Sequence, residues 1–236
     1  MVDSVAYRTP SEIAATSVNA GVAKSRAGTV TLIVLGFLAG SFIAMAAVAS
    51  HTVSYALGAW AGPSAAKLIS GLVFSVGIVM VIIGGGELFT GNSLMVMALL
   101  DRRIRVGALI RNWVIVYFSN MAGAVFVAWL YHETGLWQTA DGASAQALIM
   151  TAMRKSSLEF WPAFFRGVLC NWLVCMGVWM SYSADDVSGR ILPLAMAVSA
   201  FIMCGAEHSV ANMFYIPIGF LMSSAPAAEC FASLAH

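Results

Sequence analysis

Apolar windows near residues 28–50, 68–99, 106–131, 160–182 and 191–222 follow one another along this chain. Each reaches or exceeds the roughly 20 residues a helix needs to cross a bilayer. The second and fifth are too long for one straight span, and both are interrupted by polar residues. The interruptions match. Gly85-Gly86-Glu87-Leu88-Phe89-Thr90-Gly91-Asn92 and Gly205-Ala206-Glu207-His208-Ser209-Val210-Ala211-Asn212 both read Gly-x-Glu-x-x-x-x-Asn, with Glu207 lying 120 residues after Glu87. Such groups persist at membrane depth only where broken backbone is sheltered by protein or lines a cavity. Each long window is therefore expected to be two half-helices joined by unwound backbone. Matched interruptions in two halves of a chain point to a substrate path at the repeat interface.

Composition agrees with this pattern. Hydrophobic residues make up 60% of the chain and charged ones 10%, with a mean hydropathy of +0.85, which excludes an ordinary soluble domain. Lys24 and Arg26 precede the first window, Arg102, Arg103 and Arg105 follow the second, and Arg190 follows the fourth. By the positive-inside rule these mark the cytoplasmic side and put the N-terminus there. Lys67, Arg154 and Lys155 fall on the opposite side, either as basic residues snorkelling to the interface or as a collar that attracts anions. Residues 8–26 read as an amphipathic helix on the membrane surface, opened by Pro10 and Ser11, and not as a secretory signal. The four cysteines form no Cys-x-x-Cys pair, and the three inside windows are expected as small buried residues.

If the two interrupted windows are equivalent, a span matching 106–131 should begin shortly after residue 225. The chain ends at His236, so a sixth helix and a C-terminal truncation are expected. The expected architecture is an all-α membrane protein built as one channel domain over 1–236, with repeats at 28–131 and 155–236 in inverted orientation.

His208 is the one histidine expected in the middle of a span, with His51 and His132 in loops and His236 terminal. An ionisable group at membrane depth is a functional candidate. It is either a neutral, hydrogen-bonded structural residue or a partner that shares a proton with a passing acid. Glu87 and Glu207 open the breaks, where a carboxylate can accept from freed N–H groups, and Asn92 and Asn212 are expected to satisfy unwound backbone. Thr90 places a hydroxyl opposite His208 by pseudo-symmetry. Asn171 either lines the path or bonds helix to helix; Asn112 favours structure, and Arg166 is read as snorkelling. Phe74, Ile78, Leu88, Phe89 and Phe201 flank the polar insertions, either as packing or as apolar constrictions.

At Gly86-Glu87-Leu88-Phe89-Thr90, Cys170-Asn171-Trp172-Leu173-Val174-Cys175 and Glu207-His208-Ser209-Val210-Ala211-Asn212-Met213 the chain resembles the formate/nitrite transporter family, over about residues 8–222. The resemblance implies a homopentamer of aquaporin-like protomers, each with its own pore and six spans where five are visible here. It implies that His208 is the central pore histidine, hydrogen-bonded by Thr90, and that Lys155 draws anions to the outer mouth with Asn171 near the path. Phe74, Ile78, Leu88, Phe89 and Phe201 then form the two constrictions.

The function expected is a channel or transporter for small monovalent anions of weak acids (formate, nitrite or hydrosulfide), passed as the neutral acid with proton involvement. An aquaporin-like channel for water or neutral solutes is the alternative, weakened by the absence of an Asn-Pro-Ala pair. No enzyme, cofactor or metal is expected, since no His-Glu-x-x-His motif occurs. The expected partners are the anions, protons and membrane lipid, with no nucleic acid, and the expected location is the inner (plasma) membrane.

Overall fold

The computed structural model describes residues 7–58, 61–139 and 142–223. Its elements are all helical: α1 (Pro10–Arg26), α2 (Thr29–Gly58), α3 (Gly62–Gly84), a 3-10 turn at Gly91–Leu94 leading into α4 (Met95–Leu100), α5 (Val106–Glu133), α6 (Ala143–Ser156), α7 (Phe160–Ser181), α8 (Val187–Met203) and α9 (Ser209–Ser223). Helices α2, α3, α5 and α7 are long and apolar enough to cross a membrane, while α8, α9 and Gly91–Leu100 are shorter apolar helices. The expected sixth span falls beyond residue 223, outside the described residues.

The long windows divide where glycine allows it. Gly85 ends α3 with φ +84°, a left-handed conformation that a side chain would strain. Gly205 follows the cap of α8 with φ +69°. In the first break Gly86 N–H closes the helix onto Val81 O, and in the second Ala206 N–H closes onto Phe201 O. Past each glycine the next free amide leaves its own helix. Glu87 N–H donates to Leu35 O of α2, and Glu207 N–H donates to Arg166 O of α7. Buried backbone donors need such partners in apolar surroundings.

Packing repeats the same scheme. Helix α2 packs on α3 as α7 packs on α8, and α1 packs on α4 as α6 packs on α9. Helix α5 lies across α2 and also touches α9. The α2–α5 crossing is close because Gly40 sits on the Asn120 backbone, where a methyl group would overlap the carbonyl oxygen. Helix α1 opens with a capping box: Thr9 Oγ1 accepts from Glu12 N–H, and Glu12 accepts from Thr9 N–H. The Thr9 hydroxyl and then its amide hold the Glu12 carboxyl below the usual carboxylate range. The buried face of α1 (Ile13, Ser17, Val18, Gly21, Val22) is covered by α4, with Val18 and Val22 against Ala98. The apolar face of α1 thus finds its partner in α4.

Outward, α7 exposes Phe160, Trp161, Phe164, Phe165, Val168 and Trp172. A belt of large apolar side chains of this size suits a surrounding medium other than water.

Candidate functional site

Each break carries the same charged network. At the first, Lys24 Nζ of α1 lies 2.7 Å from Glu87 Oε1, and Asn92 Nδ2 donates to Glu87 Oε2 at 2.7 Å. At the second, Lys155 Nζ of α6 lies 2.6 Å from Glu207 Oε2, and Asn212 Nδ2 donates to the same oxygen at 3.0 Å. The glutamates and asparagines thus bond to lysine and to each other, not to freed backbone as expected. A lysine ammonium is the stronger partner for a part-buried carboxylate, and the freed amides already have carbonyl acceptors on α2 and α7.

The first break is further held by Asn120 of α5, fully buried. Its Nδ2 donates to Gly36 O at 2.7 Å and Glu87 O at 2.9 Å, and its Oδ1 accepts from Phe89 N–H at 2.9 Å. Asn112, also fully buried, accepts from Asn92 Nδ2 at 2.8 Å. Neither Asn120 nor the pairing role of Lys24 was read from the sequence. An amide in the middle of an apolar window was the available signal for Asn120; nothing local marks Lys24.

The two breaks meet at His208 and Thr90. His208 Nε2 lies 3.2 Å from Thr90 Oγ1, with both residues buried. His208 Nδ1 accepts from Ala211 N–H at 3.1 Å, so the imidazole caps the start of α9. An amide can only donate, so Nδ1 presents its lone pair and the neutral ring carries its proton on Nε2, directed at the Thr90 hydroxyl. Phe201 stacks on His208 with centroids 5.7 Å apart, and Phe74 meets Phe201 edge-on at 6.0 Å.

A cavity of about 420 Å³ on the α6 side is lined by Phe74, Phe201, His208, Lys155 and Glu207. Lys67, Arg154, Arg166 and His51 also line it, so the basic residues read as snorkelling share one cavity with the central histidine. A second cavity of about 220 Å³ on the α1 side is lined by Ile78, Leu88, Glu87, Lys24, Tyr182 and Arg190. Phe74 and Ile78 are both 4% exposed and stand one turn apart on α3, about 6 Å along its axis. That turn separates a residue lining one cavity from a residue lining the other.

Other candidates fall elsewhere. Phe89 lines neither cavity and packs edge-on against Tyr117 and Trp113 of α5, because Asn120 draws its backbone toward α5. Asn171 also lines neither, and its Nδ2 donates to Ser93 Oγ at 3.0 Å, a bond between α7 and the 3-10 turn. His51 and His132 lie within α2 and α5 rather than in loops, since both helices continue past their apolar windows. Cys170 is buried as expected, but Cys204 is exposed because α8 ends at that residue.

Membrane-length apolar helices, two breaks each held by a part-buried ion pair, and a basic cavity that reaches the buried histidine define a multi-pass membrane protein of the channel and transporter class. The chain belongs to the formate/nitrite transporter family, whose model matches residues 11–235. It is 40% identical over 222 residues to the uncharacterized transporter YrhG of Bacillus subtilis, covering 93% of this chain and 82% of that one. It is 35% identical over 213 residues to the formate channel FocA of Escherichia coli K12, covering 90% and 74%. Among solved structures, it matches a pentameric formate channel with formate bound at TM-score 0.78 and 30% identity, covering 88% of this chain and 81% of that one. It also matches an FNT family ion channel at TM-score 0.79 and 26% identity, covering 89% and 84%. The family comprises channels and transporters, not enzymes.

Proposed function

We propose that this chain conducts small monovalent anions of weak acids, formate foremost and nitrite or hydrosulfide by the same chemistry, as neutral acids with proton involvement. The observation that carries the reading is the Thr90–His208 pair, buried beside two apolar rings, with a basic cavity in front of it. In the reading, the protomer is one channel domain over 1–236, an aquaporin-like pair of inverted repeats at 28–131 and 155–236. Five such protomers assemble in the inner membrane with the N-terminus cytoplasmic. The formate-channel relatives and the pentameric neighbour support the substrate class and the assembly.

Lys155, Lys67, Arg154 and Arg166 raise the local anion concentration at the α6-side mouth. Phe74, Phe201, Ile78 and Leu88 then oppose a bare charge, at a cost of several kcal/mol to more than about 10 kcal/mol for a charge at membrane depth. Neutralising a carboxylate of pKa near 4 at pH 7 costs roughly 4 kcal/mol. Protonation is the lower route. His208 offers its Nε2–H as a hydrogen-bond donor to the passing solute, alternating with Thr90.

The test is uptake of labelled formate, nitrite and hydrosulfide into proteoliposomes across pH, with proton movement recorded together. Co-movement of protons and weak acid is the expected result. An electrogenic anion current without protons sinks the neutral-acid mechanism. Water or glycerol flux with no anion uptake favours the neutral-solute channel. His208→Asn keeps a side chain suited to capping α9, so an assembled protein with an altered pH profile is expected. An unchanged profile removes His208 from the mechanism.

A further inference from the structure

A second imidazole stands at the α6-side cavity. His51 of α2 is 6% exposed and lines the cavity that holds Phe74, Phe201 and His208. Its Nε2 lies 3.1 Å from Ser144 Oγ of α6, and its ring stacks on Tyr55 with centroids 5.5 Å apart. Among the described residues Nδ1 has no hydrogen-bond partner. The ring lies on the wall of the cavity.

The proton for a passing acid needs a source, and His208 is poorly placed to be one. Its Nδ1 is engaged by Ala211 N–H, so charging the ring would break the cap of α9. Releasing Nε2–H from the neutral ring would leave an imidazolate in apolar surroundings, a heavy desolvation cost. His51 caps no helix, and although it too is buried beside cations, an anion that pairs with it offsets the cost of charging the ring. The Ser144 hydroxyl both donates and accepts, so it holds the ring whichever nitrogen carries the proton, and Nδ1 is free to take or give one.

The groups facing His51 sharpen its role. Tyr55 lies on its own helix, with Tyr131 of α5 beside Tyr55 and Ser144, while Lys67 of α3, Arg154 and Lys155 of α6, Arg166 of α7, and Glu207, His208 and Tyr215 around the second break line the same cavity. Glu207 is the carboxylate among them, and Lys155 already holds it. Among the described residues that line the cavity, an imidazolium at residue 51 therefore has no free carboxylate to pair with, and an arriving anion supplies that charge.

The geometry points to His51 as a proton donor at the mouth of the conduit, an assignment that rests on the weak-acid reading above. The anion pairs with the protonated ring and its oxygen takes the proton from Nδ1. The N–H bond breaks as the O–H bond forms, leaving a neutral acid and a neutral ring. A proton from the solution on that side, relayed as hydronium through the open cavity, then returns to Nδ1, so each acid carried consumes one bulk proton.

The experiment is formate uptake by wild-type and His51→Gln proteoliposomes at pH 5 and pH 7. Bulk protons suffice at pH 5, whereas delivery from a positioned donor matters at pH 7. The pH 7 to pH 5 uptake ratio is expected to fall about tenfold in His51→Gln, below the roughly 10²–10⁴-fold that a positioned general acid typically supplies. Ser144→Ala keeps the imidazole but removes its anchor, and a smaller fall in the same direction is expected. That variant also serves if His51→Gln does not assemble. A wild-type ratio in whichever of the two assembles overturns the assignment while leaving the weak-acid reading intact. Wild-type vesicles that take up no weak acid overturn both.

Discussion

His208 Nε2 and Thr90 Oγ1 stand 3.2 Å apart across 118 residues of chain, joining the two helix breaks at one hydrogen bond. The bond has a direction, from ring to hydroxyl, because Ala211 N–H occupies the other nitrogen. Thr90→Val removes the acceptor and leaves a buried N–H unpaired, which costs about 1–3 kcal/mol. Thermal unfolding of the purified protein in detergent should show that loss, with Thr90→Ser restoring most of it. If Val and Ser variants unfold alike, the bond contributes nothing to stability.

The Lys155–Glu207 pair is separable into a structural and an electrostatic part. Both side chains are 13% exposed, so Lys155→Met strands a carboxylate, a loss on the order of 3 kcal/mol for a buried pair. The double variant Lys155→Met/Glu207→Gln should recover most of the stability. Its anion uptake should stay low and depend less on salt, because the mouth has lost a cation. Full recovery of uptake in the double variant would mean that Lys155 acts only by holding Glu207.

Asn120 and Asn171 are both amides within apolar helices, yet the contacts rank them. Asn120 makes three hydrogen bonds to backbone around the first break, and Asn171 makes one to Ser93. Asn120→Ala takes the partner from the Phe89 N–H and the Glu87 carbonyl in the break, while Gly36 O keeps its bond within α2, and should destabilise by about 1–3 kcal/mol for each of the two. Asn171→Ala should cost a fraction of that. Equal shifts in melting temperature would refute the ranking.

Two glycines separate strain from overlap. Nothing lies within 4 Å of a methyl group built on Gly85, but its φ is +84°. Gly85→Ala should therefore cost only the left-handed penalty, about 1–2 kcal/mol. At Gly40 the methyl would overlap the Asn120 carbonyl oxygen, so Gly40→Ala should push α2 from α5 and prevent assembly. Size-exclusion profiles and melting curves distinguish the two, and a well-assembled Gly40→Ala protein would contradict the close crossing.

The sequence by itself determined the helical membrane class, the five apolar windows and the two matched interruptions. Backbone polar groups cannot be left bare at membrane depth, so glycine, glutamate and asparagine in an apolar run mark a break without knowledge of neighbours. Thr90 opposite His208 was legible too, because the pseudo-repeat relates the two segments. Tertiary structure decided the rest, for want of any local signature. Lys24 looks like an ordinary flanking cation, and Lys155 like one that draws anions, until α1 and α6 carry them to Glu87 and Glu207. Phe89 and Asn171 sit in the right motifs yet turn to α5 and to Ser93, because a side chain follows the helix that packs beside it. His51 looked like a loop residue until α2 ran past its apolar window and α6 brought Ser144 to its ring. Contacts between segments about 30 to 120 residues apart depend on how helices cross, and crossing is set by close approaches such as Gly40 on Asn120 rather than by periodicity along one helix.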